Sequence, residues 1–115
     1  MRRILILDDE PLVAMMMEDW LSELGFEPVG PVSSVASALR ATDEQEIDGA
    51  ILDVSLGAGG NCYEVAEALR ERSIPFAFAT GRGAEDLDIR FQGVAVLTKP
   101  FDFEAVKTLL SSLFK

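Results

Sequence analysis

The 115-residue sequence predicts an α/β domain, a single five-stranded parallel sheet with helices on both faces. Two patterns carry that expectation. Short runs rich in branched apolar residues recur at 3–7, 28–32, 49–54, 76–79 and 94–97, each of strand length. Between them lie segments whose apolar residues fall at helical spacing, and this regular alternation selects one parallel sheet with right-handed crossovers. At 49% apolar and 26% charged, the chain is too hydrophobic to stay disordered, and its length is that of one domain.

Taken in order, the strands Ile4-Leu5-Ile6-Leu7, Ala50-Ile51-Leu52 and Val94-Ala95-Val96-Leu97 show no polar alternation, as expected of strands covered on both faces. The first helix places Val13, Met17, Trp20, Leu21 and Leu24 on one face, and Gly25 is positioned to stop it. A second opens at Ser34 and carries Val35, Ala38 and Leu39; a third opens at Asn61 and carries Cys62, Val65, Ala66 and Leu69. The last opens at Asp102 with Phe103, Val106, Leu110 and Leu113. Residues 81–93 hold three glycines and only Leu87, Ile89 and Phe91 as large apolar residues, in alternation, so a helix there is short or absent. Of Met15-Met16-Met17, one or two are expected in the core, as are Trp20 and Cys62.

Twenty acidic residues against ten Lys and Arg give a formal charge of −10, and no basic run exceeds Arg2-Arg3. Such a chain lacks the basic stripe that neutralises nucleic-acid phosphates or holds an anionic bilayer. The absence of His, with Cys62 the sole cysteine, removes the usual zinc sites, His-dependent triads and an internal disulfide. The apolar stretch after Arg2-Arg3 ends at Asp8, too soon for an export signal, and no run is long enough to span a membrane, so a cytoplasmic protein is expected.

In a parallel α/β sheet, ligands bind at the carboxyl ends of the strands. There the sequence places Asp8, Asp9 and Glu10 after the first strand, Asp53 at the end of the third, Thr80 at the end of the fourth, and Thr98, Lys99 and Pro100 after the fifth. Singly, each reads as a solvated loop residue; jointly, they describe a site. Asp8, Asp9 and Asp53 carry −3 and Lys99 carries +1, leaving −2, which one divalent cation cancels. Oxygen-only ligands point to Mg²⁺ or Mn²⁺, ions that share one or two carboxylates with a phosphate oxygen. An aspartate can itself accept a phosphoryl group, since that transfer asks the protein for positioning and charge stabilisation. Asp53 is the expected nucleophile, with Asp8 and Asp9 on the metal, the Ser55 carbonyl as a further ligand, and Lys99 and Thr80 on phosphoryl oxygens. The other seventeen acids, Glu10 among them, read as solvated surface.

Leu7-Asp8-Asp9-Glu10-Pro11, Ile51-Leu52-Asp53-Val54, Ala79-Thr80-Gly81 and Thr98-Lys99-Pro100-Phe101 together resemble the receiver domain of two-component response regulators, over essentially the whole chain. Phe76-Ala77-Phe78-Ala79-Thr80-Gly81 further resembles the motif of the FAT-GUY group of single-domain response regulators, with Arg82 where that group has Tyr. The resemblance implies strand order 2-1-3-4-5. It also implies phosphoryl transfer to Asp53 from a sensor histidine kinase or histidine phosphotransferase, Mg²⁺ dependence, slow autodephosphorylation and a cis Lys99-Pro100 bond. The expected protein is a phosphoacceptor switch of one domain, 1–115, without an output domain. It is not an enzyme in its own right, and it acts through a downstream regulatory protein as a monomer or weak homodimer.

Most receivers carry Tyr or Phe where this chain has Val96, so a ring-based signal on the fifth strand is not expected; ordering or movement of 82–92 is expected in its place. Two other functions compete. A phosphate sink or relay intermediate uses the same site. An aspartate-nucleophile phosphatase wants Asp-x-Asp followed by Thr or Val after the first strand, and Asp8-Asp9-Glu10-Pro11-Leu12 lacks the second Asp and the hydroxyl.

Overall fold

In the computed structural model, which describes residues 1–56, 62–81 and 87–114, the branched runs form β1 (Arg3–Leu7), β2 (Glu27–Val32), β3 (Gly49–Asp53), β4 (Phe76–Thr80) and β5 (Ala95–Thr98). The helices are α1 (Pro11–Glu23), α2 (Val35–Glu44), α3 (Tyr63–Glu71) and α4 (Phe103–Leu113). All strand pairs are parallel and the order is β2-β1-β3-β4-β5, as the resemblance implies.

The caps follow from local chemistry. The Ser34 side chain accepts the Ser37 N–H at 3.1 Å and the Asp102 side chain accepts the Ala105 N–H at 2.9 Å, each satisfying a donor that a helix start leaves open. Gly25, at φ 89°, ends α1 with its N–H on the Ser22 carbonyl while the Phe26 N–H bonds the Leu21 carbonyl, the paired closure that favours glycine. The sequence predicts that the third helix opens at Asn61, but α3 begins at Tyr63 with Cys62 at its N-cap and no side-chain capping bond. Asn61 itself lies outside the described residues, as do 82–86 of the segment expected to switch. The described remainder of that segment holds one 3-10 turn, Ile89–Phe91, with Leu87 and Phe91 buried and Ile89 exposed.

Alternation along the strands divides the core in two. Leu5, Leu7, Ala50, Leu52, Phe76 and Phe78 face α2, α3 and the 3-10 turn. Ile4, Ile6, Ile51, Ala77, Ala79 and Leu97 face α1 and α4, where Met17, Leu21, Val106 and Leu110 meet them. Both sheet faces are therefore dry, which explains the unbroken apolar strands. Cys62 is fully buried, whereas Trp20 is half-buried, its ring edge-on to Phe101 and Phe103. Of the three consecutive methionines only Met17 is in the core; Met15 and Met16 are exposed.

Candidate functional site

Strand parity builds the site. The residues facing α1 and α4 continue to the carboxyl ends of the strands as Asp8 after Ile6, Asp53 after Ile51 and Lys99 after Leu97, so the sheet aims these three side chains to one side. Thr80 continues the opposite parity, after Phe76 and Phe78, and is buried; its carbonyl accepts the Lys99 N–H at 2.7 Å, tying the ends of β4 and β5 together. The Lys99-Pro100 peptide is cis, as is Gly30-Pro31.

Lys99 Nζ lies 3.4 Å from Asp53 Oδ1, 3.5 Å from Asp8 Oδ2 and 2.8 Å from Glu10 Oε1. Carboxylate oxygens of Asp8, Glu10 and Asp53 come within 4.8 Å of one another, the arrangement of a cation site. Asp9, exposed, is outside that group, because successive residues leaving a strand point opposite ways and Asp8 takes the inward direction. Ser55 meets Asp53 through its N–H, which donates to Asp53 Oδ1 at 3.2 Å. Glu10 is the residue that sequence reasoning left on the surface; only its meeting with Lys99, 89 positions away, reveals it.

Burial, and after it the charge of Asp8, push the Asp53 carboxyl up from 3.8 to about 6, against the pull of Lys99 and the Ser55 N–H. Burial disfavours the Lys99 ammonium, yet the hydrogen bond to Glu10 and the charges of Asp8 and Asp53 outweigh it and hold the group above the usual lysine value. Three carboxylates therefore share one ammonium. Asp53 Oδ2 is buried without a hydrogen-bond partner among the described residues, an arrangement that is costly unless another cation completes it. The donor set is all oxygen and anionic, which fits a hard divalent ion such as Mg²⁺.

Open space flanks the cluster on two sides. A cavity of about 330 Å³ is lined by Asp8, Asp9, Met15 and Glu18, and another of about 310 Å³ by Glu10, Met16, Lys99 and Phe101. A larger groove of about 890 Å³ runs between β5 and α4, but no member of the carboxylate cluster lines it, so the chemistry belongs to the smaller pair.

A doubly covered parallel sheet in this strand order, with buried acids at the carboxyl ends of β1 and β3 and a lysine after β5, is the arrangement of a phosphoacceptor module. Residues 4–111 match the response regulator receiver domain, and the chain belongs to that family. MalR, a transcriptional regulatory protein of Bacillus subtilis, is 34% identical over 96% of this chain, which spans about half (49%) of that relative's length. SdrG from Sphingomonas melonis Fr1 is 48% identical, with TM-score 0.88 over 100% of this chain and 98% of its own; its BeF3-activated conformation (Pseudomonas melonis Fr1) matches at TM-score 0.82 and 48% identity over 98% and 96%. TrrA from Thermotoga maritima, solved in complex with Mg²⁺-BeF, is 26% identical at TM-score 0.85, covering 99% of this chain and 100% of TrrA. The function is accordingly that of a two-component receiver. No helix among the described residues is long and apolar enough to cross a membrane.

Proposed function

We propose that Asp53 takes a phosphoryl group from the phosphohistidine of a sensor histidine kinase or histidine phosphotransferase in the cytoplasm. One observation carries this: Asp53 is buried at the end of β3 with Oδ1 on Lys99 and the Ser55 N–H, while Oδ2 has no partner among the described residues. An Asp53 oxygen forms the new P–O bond as the P–N bond of the donor breaks, and the electron pair and a proton end on the imidazole. Lys99 meets the charge on one phosphoryl oxygen, and the Thr80 hydroxyl donates to another.

Asp8 and Asp53, whose carboxylates the structure brings together, would hold Mg²⁺, with the exposed Asp9 beside them and the Ser55 carbonyl as the further ligands; the ion supplies countercharge to the transferring group. That Asp53 titrates near 6 supports the need for this countercharge, since without it the nucleophile competes with a proton close to neutrality. That SdrG has a BeF3-activated conformation and that TrrA was solved in complex with Mg²⁺-BeF support the same chemistry here.

Incubation with Mg²⁺ and acetyl phosphate, followed by intact mass, tests the proposal. Wild type is expected to gain one phosphoryl group and Asp53→Asn none. Equal incorporation in the two proteins overturns it.

A further inference from the structure

Glu10 has a contact that the phosphoacceptor scheme does not use. Its Oε1 lies 2.8 Å from Lys99 Nζ, nearer than Asp53 Oδ1 at 3.4 Å or Asp8 Oδ2 at 3.5 Å. Two ordinary explanations of a glutamate here fail. At the N-cap of α1 its side chain makes no capping hydrogen bond, and the local bond is made by Asp8, whose Oδ1 accepts the Glu10 N–H at 2.9 Å. As a solvated acid it would have no fixed direction, yet it meets a lysine 89 positions away whose own side chain is only 19% exposed.

We propose that Glu10 is a positioning residue for Lys99, holding the ammonium at the mouth of the site in the unphosphorylated protein and yielding it when an anionic group arrives on Asp53. This rests on Asp53 being the phosphoacceptor. The three partners of Lys99 are not equivalent. Asp8 and Asp53 side chains are 6% and 3% exposed, so stripping either of its cation leaves a buried charge. The Glu10 side chain is 57% exposed and regains water when the ammonium leaves. A phosphoryl group offers Lys99 new anionic acceptors beside Asp53, and the partner surrendered at the lowest cost is Glu10. Glu10 thus competes with the phosphoryl group for Lys99 and sets how much affinity the site must gain to switch.

The experiment measures beryllofluoride affinity at saturating Mg²⁺ together with the NMR signal of the Lys99 Nζ group, in wild type, Glu10→Gln, Glu10→Asp and Glu18→Gln. Glu18 lines the neighbouring cavity and controls for simple loss of a nearby negative charge. Glu10→Gln is expected to bind beryllofluoride about two- to fivefold more tightly, the factor an exposed ion pair supports. Its Lys99 signal before addition is expected to differ from wild type, while Glu18→Gln matches wild type in both. Glu10→Asp keeps the charge but is one methylene shorter, and is expected to shift the Lys99 signal as Glu10→Gln does. Unchanged affinity and an unchanged Lys99 signal in Glu10→Gln overturn the proposal, as does an equal gain in Glu18→Gln. Failure of wild type itself to bind beryllofluoride would instead remove the phosphoacceptor assignment, and this proposal with it.

Discussion

The Tyr63 ring lies stacked on that of Phe91, with centroids 5.4 Å apart and planes within 8°. The Tyr63 hydroxyl accepts the Asp88 N–H at 2.9 Å, so the start of α3 grips the 3-10 turn by ring and by hydroxyl. Phe78, two residues before Thr80, meets both rings edge-on at 5.8 and 5.5 Å. Val96 pairs in register with Phe78. The aromatic bulk on this face thus comes from α3, β4 and the turn, where most receivers draw a ring from the fifth strand.

Phe91→Ala is expected to destabilise the domain by about 3–5 kcal/mol, since Phe91 is fully buried among Tyr63, Phe76 and Phe78 with Arg70 and Arg90 over its ring. Tyr63→Phe keeps the stack and removes the hydroxyl that accepts the Asp88 N–H, so about 0.5–1.5 kcal/mol is expected for that bond. Urea unfolding separates the two; equal losses would contradict the ring-dominated account.

Asp53 titrates at about 6 in the folded protein against 3.8 unfolded, so the fold binds this proton more tightly than the open chain does. The associated stability is complete below 3.8 and is lost as pH rises through about 6, with a ceiling of about 3 kcal/mol. Asp53→Asn, neutral throughout, is therefore expected to exceed wild type in stability at pH 8 without divalent ions and to converge with it near pH 4. Denaturation at both pH values decides; a constant difference, or none, contradicts the shift.

Mg²⁺ is expected to raise the Tm of wild type at pH 8, because binding to the folded state alone stabilises it, by about 3 kcal/mol at a hundredfold excess over Kd. Asp53→Asn and Asp8→Asn are expected to lose most of that gain. Thermal unfolding with and without Mg²⁺ checks this, and equal gains in all three proteins would place the cation elsewhere.

Burial pushes the Cys62 thiol up to about 12, and the side chain is fully enclosed. Alkylation in the native state is expected to be negligible and to track unfolding in urea. Rapid modification of the folded protein, followed by intact mass, would contradict the packing.

Much of this was legible because it is local or periodic. Among the described residues, the five strands and four α-helices follow from spacing, and the ends of α1, α2 and α4 from Gly25, Ser34 and Asp102. Strand alternation even orders Asp8, Asp53 and Lys99 on one side. Glu10 escaped because its partner is set by tertiary folding and by the exit angle of the chain into α1, which no spacing in the sequence encodes. The methionine run was legible too: helical turning allows about one of three consecutive residues on the covered face, and Met17, the one spaced with Val13, Trp20 and Leu21, takes that position while Met15 and Met16 stay exposed.

The central claim, that Asp53 carries the phosphoryl group, is tested most directly by borohydride reduction after phosphorylation with acetyl phosphate and Mg²⁺. Reduction of an acyl phosphate converts the aspartate to homoserine, and peptide mass spectrometry locates the change. The account predicts homoserine at position 53 in wild type, dependent on the phosphodonor. Homoserine at any other acid, or none under conditions where intact mass shows phosphorylation, would contradict it.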